Sequence, residues 1–343
     1  MNKKSMISGA AALAMILGLC VCGQKDVFAS GASSADTSAV SAASSEVSVD
    51  EISAESGSAD VNETSAGSAD IETEGRKKVD VKATGDVLID ADGFYAEITK
   101  KKTDEFGYSW DIHCENNTGG TVYFGMENVS VNGIVAIPLF QAEVEPGAAS
   151  DATATWYMDY KEYDIETPVI IEGRFFILDK ESYSMLSQAQ FTVCPEGEEK
   201  AYYVTRKDEE TDVRIVSNDY VDFIGTSFSE GDYDDVEMSV YLSNKTDKDI
   251  IISIDGCFIN DAEADPFWAA FLPAGKSVYT NVYWLLSDLQ AVGIDSLESI
   301  HKIVAEISVY DQETYEVYSN ETVTLSVKHV SGSDWEPFDP YTF

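Results

Sequence analysis

The sequence predicts an all-β chain: two tandem antiparallel β-sandwich domains behind a signal segment and a disordered linker. Three observations predict it. The second half repeats the first: Asn116–Asn117–Thr118 answers to Asn244–Lys245–Thr246, Gly147 to Gly275 and Trp156 to Trp284, all at one spacing. Asp179, Tyr183 and Ser187 match Asp311, Tyr315 and Ser319 at a slightly larger one, and Val87–Leu88–Ile89 matches Val213–Arg214–Ile215. The spacing changes around Phe106–Tyr108 and Gly293–Asp295, where loops belong, so one framework is built twice. Each copy is a series of short runs rich in Val, Ile, Phe, Tyr and Thr, separated by turn residues. Neither copy contains a helix-period segment longer than about three turns.

The elements follow in order. Lys3 and Lys4 precede an apolar run from Met6 to Val21, a basic-then-apolar pattern that marks a secretory signal (1–29) too short for a comfortable membrane span. Two exits from it stand open. Cys22, with Cys20 before it, ends the apolar run like the lipidated cysteine of a bacterial lipoprotein, whereas Val27 and Ala29 suit ordinary cleavage after Ala29. Residues 30–80 read as a disordered acidic linker rich in Ser and Ala. From Ser30 to Gly75 it carries no Lys, Arg or aromatic residue, too little apolar surface to offset its ordering entropy. A coil of about 45 residues reaches roughly 35–40 Å, the length of a tether.

The first sandwich (81–195) is predicted from strands at Phe94–Ile98, Trp110–Cys114, Thr121–Phe124, Val129–Val131, Ala152–Met158, Val169–Leu178 and Gln188–Val193. Asn116–Gly120, Asn132–Gly133 and Pro146–Gly147 supply the turns. An acidic inter-domain linker (196–212) follows, partly ordered around Ala201–Val204. The second sandwich (213–328) has strands at Val236–Leu242, Ile250–Ile254, Ser277–Leu285, Lys302–Tyr310 and Glu321–Val327, and one short helix over Ser287–Gly293 with Ser287 as N-cap and Gly293 as stop. In Val236–Leu242, Val236, Met238, Val240 and Leu242 alternate, the pattern of a strand with one buried face. Units of about seven short strands point to a sandwich, with an open barrel as the alternative. A C-terminal tail (329–343) carries Trp335, Phe338, Tyr341 and Phe343 among Pro and Asp, and such tails are usually loose.

Charge narrows the partners. The 62 acidic residues outnumber 22 basic ones, for a net charge of −40. Nucleic acid requires basic clusters that displace counterions, and anionic headgroups would be repelled. No nucleic acid is expected, and the membrane only through a lipid anchor. Past the signal region there are three cysteines, Cys114, Cys194 and Cys257, an odd number that builds no disulfide framework. Cys114 alternates with Trp110 and Ile112 and should be a buried thiol, while Cys194 is out of phase with Phe191 and Val193 and should face outward.

These residues resemble a recurring immunoglobulin-like repeat of predicted surface lipoproteins from Firmicutes, of the gut clostridia type. In that group a strand leads to an Asn-rich turn, a Val-Ser-Val-Asn-Gly segment and an Asp…Tyr corner. Here the first copy supplies Glu115–Asn116–Asn117–Thr118, Val129–Ser130–Val131–Asn132–Gly133 and Asp179…Tyr183. The second supplies Ser243–Asn244–Lys245–Thr246, Phe258–Ile259–Asn260–Asp261, Ala274–Gly275–Lys276 and Asp311…Tyr315. The resemblance covers nearly all of Val87–Val327. It implies two tandem immunoglobulin-like sandwiches held outside the cytoplasm, as a cell-surface lipoprotein or a secreted protein, and it implies no particular activity.

Chemistry is sparse. The three histidines, His113, His301 and His329, are too scattered for a metal site or triad, and His113 should lie on the solvent face. No catalytic residue is expected, nor a cofactor. The one candidate ion is calcium, which favours several oxygens in a loop. Asp261, Glu263 and Asp265 alternate in one loop and Asp232, Asp234 and Asp235 crowd another, but solvated loops explain both equally well. Phe267 and Trp268, like Tyr157, Tyr160 and Tyr163, would serve as exposed platforms for a sugar or protein unless they pack into the core or its rim. Trp156 and Trp284 share a repeat position, which favours a core role for both. The expectation is therefore a non-catalytic extracytoplasmic binding, adhesion or envelope-interaction module whose partner is a protein or glycan. A carbohydrate-binding module, or a secreted enzyme with an inter-domain site, is the alternative.

Overall fold

The computed structural model describes residues 75–104, 107–156, 163–231 and 234–327. The signal segment with Cys22, the linker up to residue 74, Tyr157, Tyr160, Asp232 and the tail 329–343 lie outside the described residues. Strand follows strand almost without interruption. In the first half these are β1 (Arg76–Lys78), β2 (Val87–Ala91), β3 (Phe94–Asp104), β4 (Gly107–Asn116), β5 (Val122–Val131), β6 (Ile134–Val135), β7 (Ala142–Val144), β8 (Ala148–Trp156), β9 (Ile171–Asp179) and β10 (Met185–Val193). After β11 (Tyr202–Val204) come β12 (Val213–Ser217), β13 (Val221–Glu230), β14 (Asp235–Asn244), β15 (Ile250–Ile259), β16 (Ala262–Glu263), β17 (Ala269–Leu272), β18 (Ser277–Leu285), β19 (Lys302–Asp311) and β20 (Val317–Ser326).

The repetition read in the sequence is a repetition of strands. In the first half the sheet β2-β3-β4-β8 faces one containing β10, β9 and β5. Their inward residues make one core: Trp110, Ile112 and Trp156 from the first sheet, Phe124, Phe175 and Phe191 from the second. Trp110 meets Phe191 edge-on at 5.9 Å, and Phe94 meets Phe124 at 6.1 Å. The second half repeats this with β12-β13-β14-β18 facing β16-β15-β19-β20. Its core sets Phe223, Val240 and Trp284 against Ile252, Ile254, Ile307 and Leu325. Each such side chain contributes about 1.5–3 kcal/mol by leaving water. The chain is thus an all-β, antiparallel sandwich fold, and all its described residues belong to one compact unit.

One sheet runs through both halves. Its path is β10-β9-β5-β6-β18-β14-β13-β12, with β7 beside β5. The crossing point is a single parallel pair, Ile134 opposite Ser277, where the Ser277 N–H donates to the Gly133 carbonyl at 3.0 Å.

Several boundaries differ from the sequence reading for local reasons. Thr121–Phe124 and Val129–Val131 belong to one strand, β5, kinked by a bulge at Asn128, which sits at φ 52; an extra residue bends a strand without ending it. Of the segment assigned to the acidic linker, Arg76–Lys78 form β1, which pairs antiparallel with β11 of the inter-domain segment. The short helix spans Leu286–Ala291, so Ser287 lies inside its first turn and not at the N-cap. β18 runs straight into this helix, and the Leu286 N–H is satisfied by the Asp234 carbonyl at 2.8 Å, leaving a side-chain cap nothing to do there. Gly293 does stop it, in the left-handed region at φ 86.

The turns explain why the repeat is legible at Asn. Asn116 and Asn244 are buried at equivalent strand ends, β4 and β14. The Asn116 Nδ2 donates to the carbonyls of Gly120 and Val144 at 2.7 and 3.1 Å, and its Oδ1 accepts from the Thr118 N–H at 3.0 Å. Asn244 does the same with Lys248, Leu272 and Pro273 at 2.7, 3.0 and 3.0 Å, and with Thr246 at 2.9 Å. Each side chain therefore closes its own turn and pins a third segment. Asp179 and Asp311 are a second matched pair, accepting from the N–H groups of Ser182 and Thr314, each at 2.8 Å. Tyr318, the Asp311 turn's own N–H groups and Lys248 hold the Asp311 carboxyl well below the usual carboxylate range.

An Asn244→Ala protein leaves the Leu272 carbonyl and the Thr246 N–H without their side-chain partner, while the Lys248 and Pro273 carbonyls keep the Thr246 hydroxyl and the Lys276 N–H. Each unmet buried group costs about 1–3 kcal/mol. The expected loss is therefore at least about 2 kcal/mol, read as a lower denaturation midpoint with unchanged slope. Asn117→Ala, at an exposed neighbouring site, should stay within about 0.5 kcal/mol of the parent.

Candidate functional site

The residues singled out in the sequence do not converge. Trp268 is in the second core, 5 % exposed and 5.7 Å from the ring of Phe223, while Phe267 beside it is exposed. Phe267 takes φ 47, and its N–H is held by the Asp265 carboxylate at 2.9 Å, so Asp265 is occupied with its own turn. Asp261 pairs with Lys302 at 2.7 Å on the far side of the hairpin, and Glu263 is exposed on β16. No group of three or more His, Cys, Asp or Glu is placed to hold a metal ion among the described residues. Trp156 and Trp284 are both core residues, and the Trp284 Nε1 donates to the Ala264 carbonyl at 2.9 Å. His113 lies on the outer face of the first sheet with Nδ1 2.7 Å from Asp151 and Nε2 3.3 Å from Glu115, and the Asp151 carboxylate raises its pKa above 6.5.

A different place gathers polar groups: the seam between the halves. It is organised by the turn Asn132–Gly133 joining β5 to β6. Asn132, fully buried at φ 49, ties down the chain before β9. Its Nδ2 donates to the Thr167 carbonyl at 3.0 Å and its Oδ1 accepts from Val169 at 2.9 Å. Its own carbonyl accepts from the Val204 N–H of β11 at 2.8 Å. Gly133 has φ 83 and lies flat against Tyr203, so a Cβ there would come within 2.8 Å of that ring. Only glycine allows this approach.

Around that turn lies a cleft of about 560 Å³. Tyr203, Tyr241, Ser243, Ser277 and Thr205 line it with hydroxyls, and Arg206, Arg214, Lys245, Lys77, Asp208 and Asp222 with charge. The hydroxyls are wired together: the Tyr241 OH donates to Ser277 Oγ at 2.8 Å and Ser277 Oγ to Ser243 Oγ at 3.0 Å. Arg206 grips Asp212 with two parallel bonds, one at 2.5 Å, and stands 5.6 Å from the centre of the Tyr241 ring. Asp222 is shared by Lys245 at 2.7 Å and Arg214 at 3.8 Å, and Arg214 also pairs with Asp208. Tyr279 and Tyr163 extend the aromatic surface, with centroids 5.0 Å from Tyr241 to Tyr279 and 4.8 Å from Tyr279 to Tyr163.

At the wall of the cleft sits a trio drawn from three parts of the chain, with Lys276 buried and Glu172 and Tyr203 half-buried. Lys276 (before β18) pairs with Glu172 (β9), and the Tyr203 OH (β11) donates to the same Glu172 oxygen at 2.7 Å. Lys276 also stands 3.9 Å from the Tyr203 ring centre. Burial lowers the Lys276 pKa, opposed by the Glu172 charge, and burial with the Glu172 carboxylate raises that of Tyr203. This trio was not singled out in the sequence. Its signal is a difference between the copies: Ala148 stands where the second copy has Lys276.

The cleft thus presents the linked hydroxyls of Tyr241, Ser277 and Ser243 beside the carboxylates of Asp208 and Asp222, with no histidine or cysteine in its lining. The three cysteines are free thiols; Cys114 and Cys257 are buried, which pushes each up to about 12.

No protein-family model matches the chain, and no curated protein sequence matches it. Among solved structures it is similar to the YadV chaperone, at 6 % identity and a TM-score of 0.22, over 67 % of this chain and 100 % of that one. It is also similar to a protein of unknown function from Porphyromonas gingivalis W83, at 8 % identity and 0.18, over 68 % and 98 %. A third likeness is to an exo-chitosanase from Amycolatopsis orientalis, at 10 % and 0.19, over 62 % of this chain and 25 % of that one. None of these scores carries a functional argument.

Two outcomes are expected. Lys276→Met leaves the half-buried Glu172 carboxylate with the Tyr203 hydroxyl as its remaining partner. The loss should therefore fall below the roughly 3–5 kcal/mol of a broken, fully buried pair, and adding Glu172→Gln should recover most of it in chemical denaturation. In the folded protein a thiol reagent should modify Cys194 well before Cys114 or Cys257, both of which become reactive only on unfolding; peptide mapping reads the order.

Proposed function

We propose that the protein is a non-catalytic, extracytoplasmic binding module, carried at the cell surface by a lipid on Cys22 or released by cleavage after Ala29. In this reading the acidic segment is a tether and the seam cleft is the ligand site. The observation that carries it is the cleft itself. A concave site of about 560 Å³ has the size of a small-ligand pocket. Its two tyrosines, wired hydroxyls and charged forks offer faces for stacking and donors and acceptors for hydrogen bonding. Two features also support a rigid display of that site: the Lys276–Glu172–Tyr203 trio and the sheet that crosses the seam.

A glycan suits this lining best as ligand. Sugar hydroxyls are met by paired donors and acceptors such as Arg214 with Asp222 and Lys245, and sugar C–H faces stack on tyrosine. An envelope protein is the alternative occupant, and the calcium dependence of either is read directly in the test below.

The test is retention of the purified protein by a panel of envelope polysaccharides and by envelope protein extracts, with and without calcium. Specific retention by a glycan, weakened at least about tenfold, or about 1.4 kcal/mol, in Arg214→Ala/Lys245→Ala, is the expected outcome. Binding to nothing in either panel, or binding unaffected by those substitutions, sinks the proposal for this cleft.

A further inference from the structure

Exposed edges are where β-proteins recruit other chains, so the edges of this fold were compared. A strand at a sheet edge offers a row of unpaired N–H and C=O groups, and proteins blunt such rows with bulges, short strands, lysine or proline. Here β2, β10, β12 and β20 are the edge strands of five residues or more besides β8, and each lies in a ladder broken by a register shift. The remaining edges, β1, β11, β16, β17 and β7, are two to four residues long. Among the described residues β8 alone is long, straight and undefended. It spans nine residues, Ala148–Trp156, pairs with β4 without a shift, and contains no Lys, Arg or Pro.

The open backbone groups can be assigned. The Thr155 N–H points outward, to the Leu139 carbonyl at 3.2 Å. By the two-residue period of a strand, the N–H and C=O of Ala149, Asp151 and Thr153 point the same way, and no backbone partner meets them among the described residues. One equivalent group of the second copy is used: Ser277 of β18, the counterpart of Ala149, meets β6 in a single parallel pair. The fold therefore already begins a strand addition at this position in one copy, while in the other the edge meets only Leu139, at Thr155, among the described residues.

We infer that the β8 edge takes up an extended segment of a partner protein, one that alternates apolar with basic residues. The alternation follows from the register. Inward from the edge lie Ala148, Ser150, Ala152 and Ala154, small side chains at the rim of the core that leave room for apolar ones. On the outer face Asp151 and Glu115 share His113 and Asp111 pairs with Lys102, leaving an acidic excess of three carboxylates over these two basic groups, with the Asp151 side chain 82 % exposed. A strand laid along β8 would thus meet apolar surface with one set of side chains and carboxylates with the other. The net charge of −40 draws in a basic segment and repels a second copy of this chain. Exposed Ile137 and Leu139 flank the end of the edge and prolong the apolar side.

The probe is a blocked nine-residue peptide alternating Val and Lys, titrated into the full-length protein, with a Val/Glu peptide as comparison. Expected is saturable binding of the Val/Lys peptide, with hydrogen-exchange protection at the amides of Ala149, Asp151 and Thr153. Thr153→Pro removes one outward N–H and none of the bonds to β4, so it should weaken binding at least tenfold. Thr153→Lys, which keeps the backbone intact, should weaken it likewise by placing a like charge at the edge. Equal binding by Thr153→Lys, no protection at those amides, or equal binding of the Val/Glu peptide would each overturn the assignment. Protection of the same amides without peptide, rising with protein concentration, would give the edge to a second copy and overturn it equally.

Discussion

A sandwich of short strands holds together only if the chain can turn without leaving buried peptide groups unpaired, and here four asparagine side chains meet that requirement. Asn116 and Asn244 close the turns after β4 and β14, each also holding the carbonyl of a third segment. Asn132 and Asn260, both at φ 49, do the same for the chain entering β9 and β19. An amide suits this task because it donates and accepts at once; the carboxylate of Asp can only accept. It also tolerates the left-handed backbone that the hairpins at Asn132 and Asn260 need. The strands are set in place by these bonds as much as by the apolar cores.

The seam shows what happens when one of these turns takes on a second duty. The Asn132–Gly133 turn serves its own half through the Asn side chain, and through two backbone carbonyls it holds the inter-domain strand at Val204 and the second half at Ser277. Its glycine lets Tyr203 press against it, and Tyr203 in turn shares Glu172 with Lys276. Burying such charges brings little stability, because desolvation offsets attraction. It does make the relative placement of the halves specific, since Lys276 and Glu172 satisfy each other in only one arrangement. The cleft inherits that fixity.

Much of this was legible in the sequence, and the rest was hidden for definable reasons. The matched Asn, Gly, Trp and Asp residues gave away the repetition because turn closure and core filling demand the same residue types in both copies. Alternation found β14, and small residues obscured the start of β8 at Ala148. The β1–β11 ribbon escaped notice since its strands are three residues long and lie some 125 positions apart; only the Tyr202–Tyr203 pair hinted that the acidic stretch was ordered. The seam was invisible to a search for similarity, because Lys276, Glu172 and Gly133 matter where the copies differ. Trp268 illustrates the limit of composition: a Phe-Trp pair after proline leaves core packing and a surface platform both open, and the structure divides the pair, with Trp268 in the core and Phe267 in solvent.

The β1–β11 ribbon also decides how the molecule would carry a load. If the N-terminal segment is a tether, its pull arrives at Gly75 and passes directly into β1, which grips β11 beside the seam and not at either pole. Arg76 braces that grip by pairing with Glu166 at 3.1 Å and lying 4.7 Å from the centre of the Tyr202 ring. Tension would therefore be met first by the three paired residues of this ribbon, before it reaches either apolar core.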